Sequence, residues 1–181
     1  MNFTSRLANY DDIEAIKTLM AQSMGVLLKE VLTPAQVAKS NESMGLDTQL
    51  LDDQTYFLIF EGKTLVGCGG WSRRRTLYGG NHTKGRDNAL ADPKTEAAKI
   101  RAMYTHPKHI RRGIGRLLLE LGESAAKAEG FRATELGATA SGILLYEKCR
   151  YKVIEELGVP DEDGITVPII LMRKTFDLAA D

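Results

Sequence analysis

From Gly113 to Gly130 the apolar residues Ile114, Leu117, Leu118, Leu121, Ala125 and Ala128 recur every three or four positions. That is the period of a helix with one buried face, and Gly130 supplies a residue suited to a left-handed C-terminal cap. What comes before the helix narrows the fold further. Lys99 to Thr105 reads as a strand that stops at His106-Pro107, because proline cannot donate to a ladder and restrains the residue before it. Between strand and helix lies the basic turn Arg111-Arg112-Gly113-Ile114-Gly115-Arg116. A strand, a glycine-bearing turn and a long amphipathic helix place the chain in a mixed α and β class.

The other segments fit this class. Phe3 to Leu7 alternates apolar and polar residues as a strand does, and Asn9-Tyr10-Asp11-Asp12 offers capping chemistry for a helix carrying Ile13, Ile16, Leu19, Met20 and Met24. A second helix is predicted after Thr33, with Pro34 at its first position, fading near Gly45. Tyr56–Phe60 and Thr64–Trp71, joined through Glu61-Gly62-Lys63, read as a β-hairpin. Residues 73–97 show no sustained period and predict a long loop or flap. Ala133–Ala138 reads as a strand, Ser141–Cys149 as a short helix, Tyr151–Leu157 as a strand, and Thr166–Arg173 as a last strand whose Pro168 suits an edge. A turn is expected at Pro160–Gly164. The order β-α-α-β-β-β-α-β-α-β-β predicts one domain over residues 1–181, a mixed sheet with helices on both faces.

Twenty-four basic and 24 acidic side chains give a formal charge of +0, so a protein whose main task is to neutralise a long polyanion is disfavoured. Local clusters must carry any anion binding, and there are two: Arg73-Arg74-Arg75, and the group Lys108, Arg111, Arg112 and Arg116. Cys68 and Cys149 lack metal-ligand spacing and read as reduced thiols. No basic stretch followed by an apolar one opens the chain, and no run of 18 apolar residues occurs, so the expectation is a cytoplasmic protein with no membrane partner.

The turn at 111–116 is where an anion belongs. A helix start offers unpaired N–H groups and the positive end of the helix dipole. Gly113 and Gly115 let a phosphate approach the backbone, and Arg111, Arg112 and Arg116 add fixed charge with forked donors. The dinucleotide fingerprint is not met, since Leu118 stands where its third glycine belongs. The P-loop spacing at Gly80–Asp87 also fails, because Arg86-Asp87 replaces Lys-Ser/Thr. A plain solvated helix cap is the alternative reading of the 111–116 turn.

Met103-Tyr104-Thr105-His106-Pro107, the loop ending Gly-Ile-Gly, the leucine-rich helix and Tyr146-Glu147-Lys148-Cys149-Arg150-Tyr151 together resemble the GNAT superfamily of N-acetyltransferases. The element order is similar along nearly the whole chain. The resemblance implies a mostly antiparallel sheet of about six to seven strands with a splayed central pair, and acetyl-CoA as co-substrate; His106-Pro107-Lys108-His109 has too few further ligands nearby for zinc, so no metal is expected. The resemblance further implies that the backbone of Met103, Tyr104 and Thr105 pairs with the pantetheine arm, with an oxyanion donor near Met103. Arg111, Arg112, Gly113, Ile114, Gly115 and Arg116 would hold the pyrophosphate, and Thr139 would be a further cofactor contact. Tyr146 would protonate the departing thiolate, a transfer a phenol can make when held in contact away from water. Ile110 stands where the family has Gln or Arg, Thr139 near its frequent asparagine, and Arg150-Tyr151 where Gly-Phe is usual.

For the base that takes the amine's proton, Glu96 is the best-placed acid by sequence, and a water chain is the alternative. Trp71, Tyr78, the 73–97 loop and the connection between the first two helices are candidates for the acceptor wall. If Arg73-Arg74-Arg75 is functional, it favours an acceptor bearing a carboxylate or phosphate. The acceptor class expected is a small-molecule or peptide amine, not nucleic acid, and association of two copies is left open. Two other functions compete: a non-catalytic acyl-CoA sensor, motivated by the departures at Ile110, Thr139 and Arg150, and a nucleic-acid module, disfavoured by the neutral charge.

Overall fold

A computed structural model describes residues 2–158 and 164–177. Seven strands form one sheet in the order β1-β2-β3-β4-β5-β7-β6: β1 Phe3–Leu7, β2 Tyr56–Glu61, β3 Thr64–Ser72, β4 Ala98–Thr105, β5 Ala133–Ala138, β6 Lys152–Glu156 and β7 Ile170–Thr175. Every neighbouring pair is antiparallel except β4 and β5, which run parallel and pair at only two positions, Ala98 with Thr134 and Lys99 with Glu135. Beyond Lys99 the two strands diverge. The splayed central pair expected from the resemblance is therefore present.

The cause of the splay is local. Cys68 faces Tyr104 and Gly70 faces Arg101, so Gly69 alone opposes both Ala102 and Met103, and Ala102 takes a left-handed φ of 51°. This is a β-bulge, which bends a strand and leaves a residue unpaired. Glycine opposite it leaves room for the Met103 side chain, since a Cβ on Gly69 would lie 2.6 Å from Met103 Sδ and 3.3 Å from its Cα. Ala102 C=O accepts instead from Tyr56 Oη at 2.8 Å.

Among the described residues five α-helices flank the sheet: α1 Ile13–Leu27, α2 Pro34–Ser43, α3 Gln49–Asp52, α4 Ile114–Ala128 and α5 Ile143–Lys148. The cap signals at the N-termini behave as their chemistry requires. Thr33 Oγ1 accepts from Gln36 N at 3.3 Å while Gln36 Oε1 accepts from Thr33 N at 3.0 Å. One face of the sheet is covered by Ile16, Leu19 and Met20 of α1 and Leu50 and Leu51 of α3, packed on Tyr56, Leu58, Cys68 and Tyr104. The other face is covered by α4, whose Ile114 and Leu118 meet Ile59 and Val66, and whose Leu119 and Ala126 join Trp71, Ile100 and Leu136.

Several expectations need correction. The buried stripe of α4 runs through Ile114, Leu118, Leu119, Gly122 and Ala126, and Ala128 is exposed. At Gly122 the missing side chain lets Ile100 approach, for a Cβ there would come within 3.1 Å of its Cδ1. The short helix α3 was not expected. The last strand begins at Ile170, and β7 lies inside the sheet between β5 and β6, so Pro168 precedes the pairing and occupies no edge. Of the turn at 160–164, all but Gly164 lies outside the described residues.

Both later helices end in the same way. Gly130, with φ 89°, donates to Lys127 O, and Phe131 N reaches back to Ala126 O. At α5 Arg150 N donates to Glu147 O at 2.9 Å and Tyr151 N to Tyr146 O at 2.9 Å, but the left-handed residue is Arg150, with φ 71°. This cap explains why glycine is usual there. Arg150→Gly should relieve the steric cost of the left-handed backbone and raise unfolding stability by about 0.5–1 kcal/mol, read by urea denaturation, with a small opposing contribution from the freer unfolded chain.

Candidate active site

The divergence of β4 and β5 opens the sheet, and two cavities meet in the gap. The larger, about 400 Å³, is bounded by Met103, Tyr104 and Thr105 of β4, the 110–116 turn, residues 139–142 after β5, the α5 residues Leu145 and Tyr146, and the C-terminal half of α1. The smaller, about 100 Å³, lies between the end of α2, Tyr78 and Gly79 of the long loop, Arg101 of β4 and Ile169 before β7. Met44, Met103, Tyr104, Thr139 and Tyr146 line both.

At the large cavity the turn is shaped by two left-handed residues, Arg111 with φ 61° and Gly113 with φ 89°. The first helical bond of α4 is Leu117 N to Gly113 O at 3.0 Å, so the N–H groups of Ile114, Gly115 and Arg116 have no partner within the helix. Nothing lies within 4 Å of a Cβ placed on Gly113, whereas one on Gly115 would come 2.6 Å from Leu145 Cδ2. Gly113 thus faces open space, and Gly115 allows α4 to start close against α5. Arg111, Gly113, Ile114, Gly115 and Arg116 all line the cavity. Arg112 does not: its guanidinium turns to Glu61, with Nη1 2.9 Å from Oε2, and stacks over Phe3. That pairing keeps the Glu61 carboxyl below its usual range. Ile110, in the place of Gln or Arg, also lines the cavity, with an exposed side chain.

Tyr146 lies at the junction of the two cavities, buried, with its ring edge-on to Tyr151 at 6.0 Å. Burial pushes its phenol up to about 12. Its placement depends on Gly142, where a Cβ would be 2.7 Å from the tyrosine Cε2. Thr139 Oγ1 lies 3.1 Å from Ser141 Oγ. The Tyr104 side chain packs in the core under α1, and burial there pushes its phenol up.

Other expected site residues are elsewhere. Glu96 lines neither cavity. It is held by Arg75 Nε at 2.8 Å and accepts from Asp92 N, which keeps its carboxyl at about 2, too acidic for an effective base near neutral pH. Trp71 is a core residue, edge-on to Phe131 at 6.1 Å. The run Arg73-Arg74-Arg75 is paired residue by residue with Glu129, Asp53 and Glu96, and none of the three lines a cavity. Tyr78 does wall the small cavity. Cys68 is buried and its thiol is pushed up to about 12, while Cys149 is half-buried; both are free.

A model of the Acetyltransferase (GNAT) family matches residues 26–151, which includes both cavities' β4, turn and α5 residues. The chain belongs to the GNAT acetyltransferase family. Among solved structures, this GNAT chain is similar to a GCN5-related N-acetyltransferase from Rhodopseudomonas palustris (TM-score 0.71, 16% identity, covering 97% of each chain). It is also similar to PaiA N-acetyltransferase from Thermoplasma acidophilum in complex with coenzyme A (TM-score 0.66, 15% identity, covering 97% of this chain and 100% of that one). A third likeness is to YncA from Salmonella typhimurium with its cofactor acetyl-CoA (TM-score 0.63, 19% identity, covering 100% and 98%). At these identities the likeness concerns the fold. A search of curated proteins gave no sequence match. No helix among the described residues is long and apolar enough to cross a membrane.

Residues of the GNAT cleft that sequence reasoning missed fall into two groups. Ser23 and Leu27 form a wall because α1 ends beside the splay, a tertiary fact without a local signal. Arg101 had one: a lone arginine in the apolar run Ile100-Arg101-Ala102-Met103 is out of place unless it has a buried partner. The close fit at Gly142 gives a test. Gly142→Ala should displace the Tyr146 ring and cost about 1–3 kcal/mol of stability by overpacking, measured by denaturant unfolding together with the near-ultraviolet tyrosine signal.

Proposed function

We propose that this GNAT protein moves the acetyl group of acetyl-CoA directly to a primary amine of a small molecule or peptide. The observation that carries the reading is the meeting of two cavities at Tyr146 and Met103, one ending on a basic helix start and the other free of it. The large cavity fits the cofactor's chemistry. Arg111, Arg116 and the N–H groups of Ile114, Gly115 and Arg116 would hold its pyrophosphate, and the β4 backbone from Met103 to Thr105, left without a parallel neighbour, would take its amide arm. When bound, acetyl-CoA supplies the activated thioester.

The chain's own groups do the rest. The acceptor nitrogen enters from the small cavity, forms the new C–N bond, and the C–S bond breaks. Met103 stands outside the strand register at the bulge, and its N–H would stabilise developing charge on the carbonyl oxygen. Tyr146 Oη gives its proton to the departing sulfur. A phenol at about 12 is a weak acid for this in water, but the burial that disfavours its phenolate would equally disfavour a thiolate held against it, which favours the transfer. Among the described residues no carboxylate or imidazole lines the small cavity, so the amine's proton leaves to water in place of Glu96.

Release of free CoA from acetyl-CoA across an amine panel tests this reading. Tyr146→Phe should lower kcat by about 10²-fold or more, with acetyl-CoA affinity by calorimetry changed little. Full activity in that variant would remove Tyr146 from the chemistry, and failure to bind acetyl-CoA would defeat the proposal. The non-catalytic sensor predicts binding with no amine-dependent thiol release. The pH profile has a definite sign. Tyr146 titrates near 12 and is protonated below it, so it contributes no loss of rate between pH 6 and 10. The rise of rate with pH should follow the acceptor amine's own ionisation and shift when the amine is changed.

A further inference from the structure

Arg101 on β4 lines the small cavity and is almost wholly buried, with 2% of its side chain exposed. Its Nη2 donates to Asp47 Oδ2 at 2.9 Å and to Gly79 O at 2.7 Å, and its Nη1 to Thr76 O at 3.0 Å. Arg86, from the long loop, donates to the same oxygen of Asp47 at 2.8 Å and to Gly80 O at 3.0 Å. The other oxygen of Asp47 accepts from Gln49 N at 3.1 Å. Asp47 is 1% exposed, and Arg86 Nε is buried without a partner.

Two guanidinium groups thus share one carboxylate, leaving one surplus positive charge in a desolvated site beside the cavity. An unbalanced buried charge is costly unless something offsets it. The loop carbonyls offset part, but anchoring the loop needs only their hydrogen bonds, which one arginine could make. The second cation adds charge that anchoring does not require.

We infer that the acceptor carries a single negative charge, a carboxylate, seated toward Arg101, so that the substrate class is a small amino acid-like molecule with both a primary amine and a carboxylate. This rests on the acetyl-transfer reading above and specifies its acceptor. The cavity volume of about 100 Å³ is less than the 150 Å³ that holds a benzene ring, which suits a few heavy atoms and not a bulky group. The placement agrees. Arg101 and Met103 line the same small cavity, so one small molecule can place its carboxylate toward the first and its nitrogen near the second. A surplus of one charge matches a carboxylate better than a phosphate dianion. Leu77, Ile100, Leu136, Val167 and Ile169 are among the apolar residues of the wall.

The test compares amino acids with their own primary amides as acceptors, pairs equal in size and differing in charge. The carboxylate member of at least one pair should have a kcat/KM higher by about 30-fold or more. Arg86→Met removes the surplus charge without touching the cavity wall, and should bring that ratio toward one while acetyl-CoA binding by calorimetry is unchanged. The wild-type ratio does not depend on whether any variant folds. A ratio near one, a preference for the amides, or no turnover of any carboxylate-bearing amine overturns the inference. If acetyl-CoA binds and neutral amines are acetylated, the acetyl-transfer reading stands without it, whereas absence of acetyl-CoA binding removes both.

Discussion

The site depends on one break in hydrogen bonding, the bulge at Ala102 and Met103 opposite Gly69. Parallel strands held over their full length would close the sheet, and β4 and β5 pair only at Ala98 and Lys99 before they part. The break is costly in backbone groups, and the fold meets that cost locally, with Tyr56 donating to the Ala102 carbonyl and Gly69 removing the side chain that would collide with Met103. From this single irregularity follow the two cavities, their contact at Tyr146, and the approach of α1 and α5 to opposite ends of the gap.

Charge is distributed to fix the frame around that gap. The long 73–97 loop is tied to the rest of the fold by Arg73 to Glu129, Arg74 to Asp53 and Arg86 to Asp47 and is braced internally by Arg75 to Glu96, so the acceptor side is walled by a fastened strap. The exposed pairs among these contribute little each, since solvent screens them. The buried set at Asp47 differs, because its charges do not cancel and water is excluded from them. The chain's overall neutrality conceals this local surplus.

The sequence was most legible where a local signal and the tertiary fold agree. The capping box at Thr33 and Gln36 and the strand ended by Pro107 each have one physical use and are found in it, whereas the turn's two glycines differ, Gly113 facing open space and Gly115 making room for Leu145. The sheet class and the splayed pair came from the order of elements and the resemblance. Less was legible where tertiary partners decide. Glu96 has the right chemical type and lies beside the right strand, but Arg75 claims it. Arg112 reads as an anion contact, yet Glu61 on the neighbouring hairpin turns it away. Trp71 reads as a pocket wall and is instead buried against Phe131. In each case a partner distant in sequence determines the side chain's direction, and no period or spacing encodes that partner. Arg150 is the reverse case: its departure from glycine looks like a functional difference and is a strained helix cap.

The central claim is that acetyl-CoA occupies the gap left by the splay, along β4 and at the start of α4. Amide hydrogen exchange with and without saturating acetyl-CoA tests it most directly. The account predicts slowing by about tenfold or more at the amides of Met103 to Thr105 and of Gly113 to Arg116, with β1 and β6 unchanged. Protection confined to other segments, or no protection while the ligand is bound, would contradict it.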